Sequence, residues 1–401
     1  MEEKPGILIV HDHYRIRGGE DTVVRNEREL LESHGHHVVM YERDNSEISD
    51  FCIVKKLLLP FISIYNPRTV RDIKRIINKD HIDIVHVHNT LALISPSVYY
   101  AAVSSGIPVV QTVHNFRLVC ANALLYRNGH VCEECLNKGS GCAVKHGCYR
   151  GSGLQTLTCV VGMSLHRLTG IYKKISLIFL SEFNRKKILS INGKKEYFDL
   201  SRTYVKPNFV PGSAEAQGEQ QDLCEEREGF IYVGRPEEIK GIRTLIEAWR
   251  IMGKNAPHLT IAGTGELEDW CRFKIREHSL NIEMPGYLKH SEVMDRIRRS
   301  KALILPTLLY EGNPMSVIEG LNAGIPVIVS DIGNGAALIK EGINGTHFKT
   351  GSPESLALAV EQLDERMKGK HNISMPDIYR PEENYKALIN IYCDVLERKH
   401  K

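Results

Sequence analysis

The sequence contains no apolar run of the roughly 18 to 20 residues that a membrane-spanning helix needs. Its first ten residues have no basic region ahead of their short apolar run, so we expect no secretory signal and a cytoplasmic protein. No Gly-x-Gly-x-x-Gly follows the first predicted strand, which argues against a Rossmann dehydrogenase. Aromatic residues make up only 7% of the chain and form no recognisable stacking module, so we expect no nucleic-acid partner.

The chain has 401 residues, of which 42% are hydrophobic, and this length suits two domains of roughly 200 residues each. Apolar segments of strand length alternate with helical patterns in both halves, which predicts an α/β fold of doubly wound parallel sheets. We place the first domain at 1–210, a linker rich in Gly, Ala, Gln and Glu at 211–228, the second domain at 229–376 and a last helix within 377–401.

The stretch from Pro306 to Asp331 carries the clearest signal of a ligand site. An apolar strand ends at Pro306, a Gly-Asn-Pro turn follows, and helical spacing of apolar residues begins after it. A helix that begins there aims unpaired backbone N–H groups and the positive end of its dipole at the strand's carboxyl edge. The stretch therefore predicts an anion site formed by Gly312, Asn313, Pro314 and Met315.

Two carboxylates flank this turn: Glu311 precedes the helix and Glu319 lies two turns into it. Taken alone, they could be a helix-terminal carboxylate and a solvated one. In its strand, turn and helix, however, the pair resembles the signature of the retaining glycosyltransferases of family 4. The resemblance implies the GT-B architecture, two Rossmann-like doubly wound domains facing a central cleft, with the last helix returned to the first domain. It also implies that Glu319 binds the ribose of a nucleotide-sugar donor and that Glu311 contacts the donor sugar.

Two basic residues follow a predicted strand at the start of the second domain. Arg235 and Lys240 can both reach one anion from that strand end, where they would stabilise a diphosphate and its departure. Family 4 grips the donor diphosphate with an Arg and a Lys-Gly pair, and the matching residues here are Arg235, Lys240 and Gly241.

Glycines mark two further strand ends of the second domain. Gly263 and Gly265 form a turn that lets a ligand approach the backbone closely. Gly286 and Tyr287 fall where, by the same resemblance, the family cradles the nucleobase.

The first domain also offers strand ends. Gly18 and Gly19 follow a first strand predicted over residues 5–10, and they form either a plain turn or a close-approach site for a phosphate or sugar. His114 and Asn115 follow a later strand, at the edge where open α/β sheets bind ligands. The resemblance to family 4 favours donor binding by the glycine pair, places His114 at the donor sugar near the reacting centre and adds Asn115 beside it.

Ten cysteines in a chain without an export signal are expected to be reduced. Cys132 and Cys135 form a Cys-x2-Cys pair with Cys120, Cys142 and Cys148 nearby, a spacing typical of a structural zinc site. Free thiols or a redox disulfide are the alternatives. A subgroup of family 4 is similar at four of these positions, which implies ligands Cys120, Cys132, Cys135 and Cys148 in an insertion at about 120–150, with Cys142 as the competitor.

Residues 51–80 are apolar and carry a net charge of +5. One interpretation is an ordinary amphipathic core helix. The other is a face that lies against anionic lipid or a lipid-linked acceptor. The basic block within 166–195 leaves the same two interpretations open. Because residues 1–210 carry an excess of basic residues, we expect an anionic partner and a peripheral position on the inner face of the plasma membrane.

These features together predict a retaining hexosyltransferase. It would move a hexose-type sugar from a UDP or GDP sugar to a glycan or lipid-linked acceptor in the synthesis of cell-envelope polysaccharide such as lipopolysaccharide. The catalytic residues would be His114, Glu311, Arg235 and Lys240. No Asp-x-Asp is present to hold a metal-bound diphosphate, so we expect no cofactor for catalysis. The alternatives are a silent zinc-bearing scaffold of a polysaccharide-assembly complex and a nucleotide-sugar 2-epimerase.

Overall fold

The computed structural model describes residues 4–15, 18–193, 195–211, 227–367, 373 and 375–398. They form two compact units. Unit 1 takes its residues from 1–125, 132–209 and 381–401, and unit 2 takes its residues from 126–131 and 210–380. The predicted linker, 211–228, falls almost entirely outside the described residues.

The strands in the described residues are β1 (Ile7–His13), β2 (Val38–Asp44), β3 (Ile84–Val87), β4 (Val109–Val113), β5 (Tyr126–Arg127), β6 (His130–Val131), β7 (Ser176–Phe179), β8 (Thr203–Val205), β9 (Phe230–Val233), β10 (Leu259–Ala262), β11 (Ile282–Gly286), β12 (Ala302–Leu305), β13 (Val327–Ser330) and β14 (Gly345–Phe348). The α-helices are α1 (Gly19–Ser33), α2 (Ile53–Ile64), α3 (Pro67–Lys79), α4 (Ser97–Ser104), α5 (Glu134–Lys138), α6 (Gly141–His146), α7 (Gly153–Leu168), α8 (Glu182–Leu189), α9 (Ile242–Met252), α10 (Glu268–Glu277), α11 (His290–Arg299), α12 (Met315–Asn322), α13 (Gly333–Leu338), α14 (Pro353–Glu361), α15 (Leu363–Met367) and α16 (Pro381–Glu397).

Unit 1 is built on a parallel sheet with the strand order β2-β1-β3-β4-β7-β8. The order reverses between β1 and β3, which is the position where open α/β sheets bind ligands. The sequence predicts the first strand over residues 5–10, but β1 extends to His13 because its pairing with β2 continues until His13 lies opposite Asp44. This extension places three polar side chains, rather than a loop, at the carboxyl edge of the sheet.

Helix α16 belongs to unit 1 and completes its core. Leu388, Ile391, Tyr392 and Val395 are buried in one apolar cluster with residues of β1, β3, β4 and α1. They lie three to four residues apart, so they form one face of the helix. Truncation of a buried leucine such as Leu388 to alanine would cost about 2–5 kcal/mol of unfolding free energy.

Unit 2 contains a second parallel sheet in the order β11-β10-β9-β12-β13-β14. Strands β9, β10, β12 and β13 are short runs, mostly apolar, that are buried on both faces, as expected for a helix-covered parallel sheet, whereas the edge strand β11 is partly exposed. Helix α9 covers it with Trp249, which is fully buried and donates its indole N–H to the Pro257 carbonyl at 2.8 Å. The order reverses between β9 and β12, so the loops after these strands flank the expected ligand position.

In the described part of the chain, no helix combines the length and the apolar character needed to cross a bilayer. Residues 126–148 form the β5–β6 hairpin and the short helices α5 and α6.

Candidate active site

The loops after β9, β10 and β12 of unit 2 approach one another so closely that only glycine fits. Gly241 has a φ of +73°, and a Cβ atom there would lie 1.7 Å from the Pro306 carbonyl oxygen. Gly263 has a φ of +140°, and its Cβ would lie 2.1 Å from the Gly234 oxygen. The predicted close-approach positions are therefore required by the packing of backbone against backbone.

The remaining glycine positions extend this arrangement toward β11. The Gly263 N–H donates to the Gly286 carbonyl at 2.9 Å, and a Cβ on Gly265 would lie 2.9 Å from the Pro236 oxygen. Tyr287 follows β11 and leaves 78% of its surface exposed. An exposed aromatic ring beside a glycine-lined backbone can stack on a planar base.

Lys240 and Glu311 form an ion pair at the centre of this edge. Lys240 Nζ lies 2.8 Å from Glu311 Oε1, which also accepts a hydrogen bond from Thr307 Oγ1 at 3.0 Å. Arg235 is half exposed and pairs with Glu237, with 3.1 Å between Nη1 and Oε1. The two predicted basic residues are thus held by different carboxylates, and Lys240 is the one placed beside the predicted sugar-contacting residue.

Helix α12 begins at Met315 without a side-chain cap. Its N-cap is Pro314, which has no polar side chain, so the N–H groups of Met315 and Ser316 receive no side-chain cap, whereas the Val317 N–H donates to the Pro314 carbonyl at 3.1 Å. Beside them, Asn313 is buried and its Oδ1 atom has no hydrogen-bond partner in the described structure. Gly312 is fixed from the other side, since its carbonyl accepts from Asn334 Nδ2 at 3.0 Å. An orphaned polar atom at an uncapped helix start suits a polar, anionic ligand.

Glu319 lies on α12, and its Oε1 atom is 3.8 Å from Nδ1 of His290 at the start of α11. Burial raises the pKa of Glu319, and the nearby His290 only partly opposes this. Because burial disfavours the charged form of this carboxyl, two hydroxyl donors would stabilise it.

In unit 1, His114 is the outer end of a chain of buried polar groups. Its Nε2 lies 2.9 Å from Nδ1 of His88, and Nε2 of His88 lies 3.3 Å from Oε1 of Glu27. The other Glu27 oxygen is 3.2 Å from Nζ of Lys206, an ammonium group that is itself buried. His86 completes the cluster, with Nδ1 3.1 Å from Glu27 Oε1.

Burial and the nearby Lys206 determine the charge states of Glu27, His88 and His114. Burial disfavours the Glu27 carboxylate, but Lys206 and His86 outweigh it and hold its pKa well below the usual value. Burial, reinforced by His86, lowers the pKa of His88 to about 4. Burial and His88 hold the pKa of His114 well below its usual value. At neutral pH this row of side chains therefore contains the Glu27 carboxylate and the neutral imidazoles of His88 and His114.

These states assign the protons. His88 Nε2 and Glu27 Oε1 lie 3.3 Å apart but do not have hydrogen-bond geometry. Because the nearby negative charge favours a proton on the nitrogen that faces it, we assign the His88 proton to Nε2 and the lone pair to Nδ1. His88 Nδ1 then accepts from the Nε2–H of His114. His114 is left with a lone pair on Nδ1, and the buried carboxylate thereby makes this ring an acceptor for a hydroxyl group.

A second polar cluster surrounds the glycine pair. Asp21 accepts the Gly18 N–H at 2.8 Å and contacts His13 Nδ1 at 2.6 Å and His11 Nε2 at 3.2 Å. Among the described residues, which leave out 16 and 17, a Cβ on Gly18 or on Gly19 would meet no atom within 4 Å beyond its own chain neighbours, so the described packing does not require glycine there.

Two buried carboxyls near this cluster have raised pKa values. Burial, with Asp21 beside it, raises the pKa of Glu20 to about 8. Burial raises the pKa of Asp12 to about 7, although its carboxyl accepts the N–H groups of Leu93 and Ile94. Carboxyl groups that are protonated near neutral pH are typical of functional sites.

A cavity of about 100 Å³ lies beside His114 in unit 1. Its lining includes His114, Asn115, Arg117, Ser63 and Thr158. The Asn115 side chain is already engaged, since its Oδ1 accepts the Arg117 N–H at 3.0 Å. Its role in the structure is to shape the turn after β4.

Family models match both parts of the chain. The model described as "Glycosyl transferases group 1" matches residues 213–374, and "Glycosyltransferase Family 4" matches residues 17–131. The chain belongs to glycosyltransferase family 4. This confirms the predicted family, whereas membership of the subgroup with the cysteine-rich insertion stays a prediction.

Curated relatives of this family 4 chain match to different extents. Glycogen synthase of Mycobacterium tuberculosis is 31% identical over 138 residues, which are 33% of this chain and 33% of that protein. The chain thus spans about a third of the length of the first relatives it matches. The UDP-Gal:alpha-D-GlcNAc-diphosphoundecaprenol alpha-1,3-galactosyltransferase of Escherichia coli is 23% identical over 371 residues, covering 87% of this chain and 85% of that protein.

Solved structures of similar fold cover nearly the whole chain. Alr3699/HepE of Anabaena, in complex with UDP-glucose, has a TM-score of 0.59 at 14% identity and covers 98% of each chain. The lipopolysaccharide outer core galactosyltransferase WaaB has a TM-score of 0.60 at 16% identity and covers 97% of this chain and 99% of its own. At such identities the likeness shows the fold, and it confirms the predicted GT-B class.

The cysteines of this family 4 chain gather around Cys135. Burial raises the pKa of Cys135 to about 12, and Cys120, Cys148 and Cys142 lie near enough to contribute. In the described residues no cysteine belongs to a group of three or more ligand atoms within 4.8 Å of one another. The zinc site stays a prediction.

The residues around His114 were missed by sequence reasoning. The signal was present in the two strand ends His-Asp-His (11–13) and His-Val-His (86–88), where alternating histidines reach one sheet edge. Glu27 and Lys206 gave no signal, because they lie 179 positions apart and within otherwise ordinary segments.

Proposed function

We propose that the protein transfers a hexose-type sugar from a UDP or GDP sugar to a hydroxyl group of a glycan or lipid-linked acceptor, with retention of the anomeric configuration. The observation that carries this proposal is the ion pair of Lys240 with Glu311 beside the uncapped start of α12. Such a group of fixed donors suits a diphosphate leaving group. Glu319 on the same helix is the proposed ligand of the ribose hydroxyls.

The proposed chemistry needs no protein nucleophile. The bond between C1 of the sugar and the diphosphate oxygen breaks, and the acceptor oxygen bonds to C1 on the same face. The acceptor proton passes to the departing phosphate. Arg235, Lys240 and the N–H groups at the start of α12 stabilise the charge on the nucleoside diphosphate, while His114 accepts a hydrogen bond from a hydroxyl group through Nδ1.

The relatives support a UDP sugar and a lipid-linked acceptor. The name of the Escherichia coli relative specifies UDP-galactose and a GlcNAc-diphosphoundecaprenol acceptor, and the HepE structure contains UDP-glucose. We place the enzyme by this analogy at the cytoplasmic face of the membrane, in polysaccharide synthesis.

Turnover of a panel of UDP and GDP hexoses, followed by proton NMR, tests the proposal. The released or transferred sugar should first appear with the anomeric configuration of the donor. Lys240→Met should lower the rate by about 100- to 1,000-fold, because it removes a fixed cation at the leaving group. Lys254→Met, which removes an exposed lysine of the same unit, is the matched control. Equal rates for both variants would contradict the proposed role of Lys240, and an inverted product would exclude retention.

A further inference from the structure

Helix α2 of unit 1 has an apolar sequence but no buried residue. Its twelve residues are IVKKLLLPFISI, and Leu57 and Phe61 each leave 70% of their surface exposed. A surface helix ordinarily hides its apolar stripe against the core. Large apolar side chains that remain together in the open mark a surface that meets a partner.

Helix α7 adds a second apolar stripe next to α2. Its exposed apolar side chains recur every three or four positions, so they share one face of the helix: Leu154, Leu157, Val161, Leu165 and Leu168. The helices touch where a Cβ on Gly162 would lie 3.2 Å from Ile64 Cγ1 and where His166 Nε2 lies 3.1 Å from the Ile64 oxygen. We call the exposed apolar residues of α2 and α7 the α2/α7 face.

The charged residues of α2 and α7, and those just after α7, are basic. There is no acidic residue from 51 to 71 or from 135 to 181. Lys55 and Lys56 are exposed on α2, and Lys173 and Lys174 are exposed just after α7. A second copy docked across a two-fold axis would bring the same lysines together. Anionic lipid headgroups supply the opposite charge and an apolar layer beneath it.

The dimensions of α2 also suit a bilayer surface. At 1.5 Å per residue it is about 18 Å long, which is too short to span the hydrocarbon layer. A short helix with exposed apolar and lysine side chains lies in the plane of the interface, where the lysine stems reach back to the headgroups.

The same helices line the cavity at His114. Ser63 and Ile64 come from the end of α2, and Thr158 and Gly162 come from α7. A molecule that enters the cavity therefore contacts the helices that form the face. An acceptor held in a bilayer by its own lipid would be presented to this part of unit 1.

We propose that the α2/α7 face docks unit 1 on an anionic lipid bilayer, and that the acceptor of the proposed transfer is an amphiphile drawn from that bilayer. The docking rests on the exposed face and its charge, whereas the nature of the acceptor rests on the proposed function.

Flotation with vesicles tests the docking. The full chain is mixed at low salt with one of two kinds of vesicle. One is pure phosphatidylcholine, and the other is phosphatidylcholine in which about a quarter of the lipid is replaced by phosphatidylglycerol. The wild type should float with the anionic vesicles and not with the neutral ones. Leu57→Gln combined with Phe61→Gln should weaken the binding at least about tenfold, because two large apolar anchors are lost. Since neither side chain is buried, the melting temperature should not change.

A matched control removes exposed apolar side chains elsewhere. Phe273→Gln with Leu358→Gln changes two side chains of unit 2 that are 52% and 45% exposed, and it should float like the wild type. Equal flotation of the two double variants, or of the wild type with both kinds of vesicle, would overturn the proposal. A dimer in sedimentation velocity that the α2 variant dissolves, without vesicle binding, would instead make the face an interface between copies.

Nucleotide binding keeps the two proposals apart. The α2 variant should retain the thermal shift of the wild type with UDP, since α2 belongs to unit 1 and the diphosphate ligands to unit 2. Loss of vesicle binding with a retained UDP shift sustains both proposals. Vesicle binding by a protein that no nucleotide stabilises would sustain docking and remove the transferase.

Discussion

The two candidate sites of the molecule are built by opposite means. In unit 2 the strand ends are held by glycines whose backbones touch, with Gly241 against Pro306 and Gly263 against Gly234. In unit 1 the strand ends carry side chains instead, and the His86 and His88 rings lie within 3.3 Å of a buried carboxylate, Glu27. A backbone site presents N–H groups to any phosphate, whereas a site built on buried charge fixes the position of each proton.

The difference has an energetic side. The ion pair of Glu27 with Lys206 removes two charges from water, and this desolvation can exceed their attraction. The pair is completed by Asn384 of α16, whose Oδ1 accepts from Lys206 Nζ at 2.8 Å. Unit 1 thus retains a costly polar core beside His114. We interpret this as the requirement for a neutral, oriented histidine.

The largest effect is expected from breaking the buried charge of unit 1. Glu27→Ala would leave the Lys206 ammonium buried without its carboxylate, so we expect a loss of about 3–5 kcal/mol in the free energy of unfolding of unit 1. Glu29→Ala, an exposed change on the same helix, should stay within about 0.5 kcal/mol of the wild type. Urea unfolding followed by circular dichroism measures both, and similar values would contradict the role of the buried pair.

A Gly→Ala substitution should lower the free energy of unfolding more where the new Cβ collides with a neighbouring backbone atom, as in unit 2, than where it meets no atom. Gly170→Ala in unit 1, at a left-handed backbone (φ +69°, ψ +15°) with no described atom within 4 Å of the new Cβ, should cost about 1–2 kcal/mol for the backbone alone. Gly241→Ala adds a collision with Pro306, so we expect about 2–4 kcal/mol and weaker nucleotide binding. Thermal unfolding with and without UDP separates the two, and identical behaviour would show that the Gly241 contact is unimportant.

The raised pKa of Glu20 in unit 1 predicts a smaller effect, a pH dependence of the folding stability whose direction is defined. The folded-state pKa of Glu20 is about 8 and its usual value is 4.5, so the folded form binds the extra proton between these values. Its contribution to stability is full below pH 4.5 and is lost as the pH rises through 8. Glu20→Gln should therefore gain stability relative to the wild type between pH 5 and 8, by about 3 kcal/mol. A difference that stays constant across this range would contradict the raised pKa.

The smallest effect concerns the proton of His114. In His88→Asn an amide replaces the imidazole that lies between Glu27 and His114. The Glu27 charge then no longer fixes the proton on His114, so the His114 ring should populate both tautomers. Nitrogen-15 NMR of the ring should then show a mixture in place of the Nε2–H form, and transfer should fall about tenfold or more. His130→Asn, which changes an exposed histidine of the β5–β6 hairpin, is the control. An unchanged tautomer in His88→Asn would refute this account of the His114 proton.

The sequence predicts the site of unit 2 far better than that of unit 1. Glu311, Gly312 and Glu319 follow one another within a single strand–turn–helix segment, so a local pattern contains them. Glu27 and Lys206 are brought together only by the folded sheet and α16, and no local pattern marks either residue. The exposure of Leu57 and Phe61 was likewise undecided, because an apolar helix reads the same whether it faces a core or a bilayer.

The measurement that tests the account most directly is a thermal-shift screen with UDP, GDP, ADP and their sugars, without added metal, on wild type, Glu319→Ala and Glu361→Ala. The account predicts a nucleotide-selective rise in melting temperature that Glu319→Ala abolishes and Glu361→Ala, an exposed change in the same unit, preserves. A ligand at 100 times its dissociation constant stabilises the folded state by about 2.7 kcal/mol, which such a screen detects. If no nucleotide at millimolar concentration stabilises the wild type, the nucleotide-sugar site of unit 2 is contradicted and a silent scaffold becomes the better account.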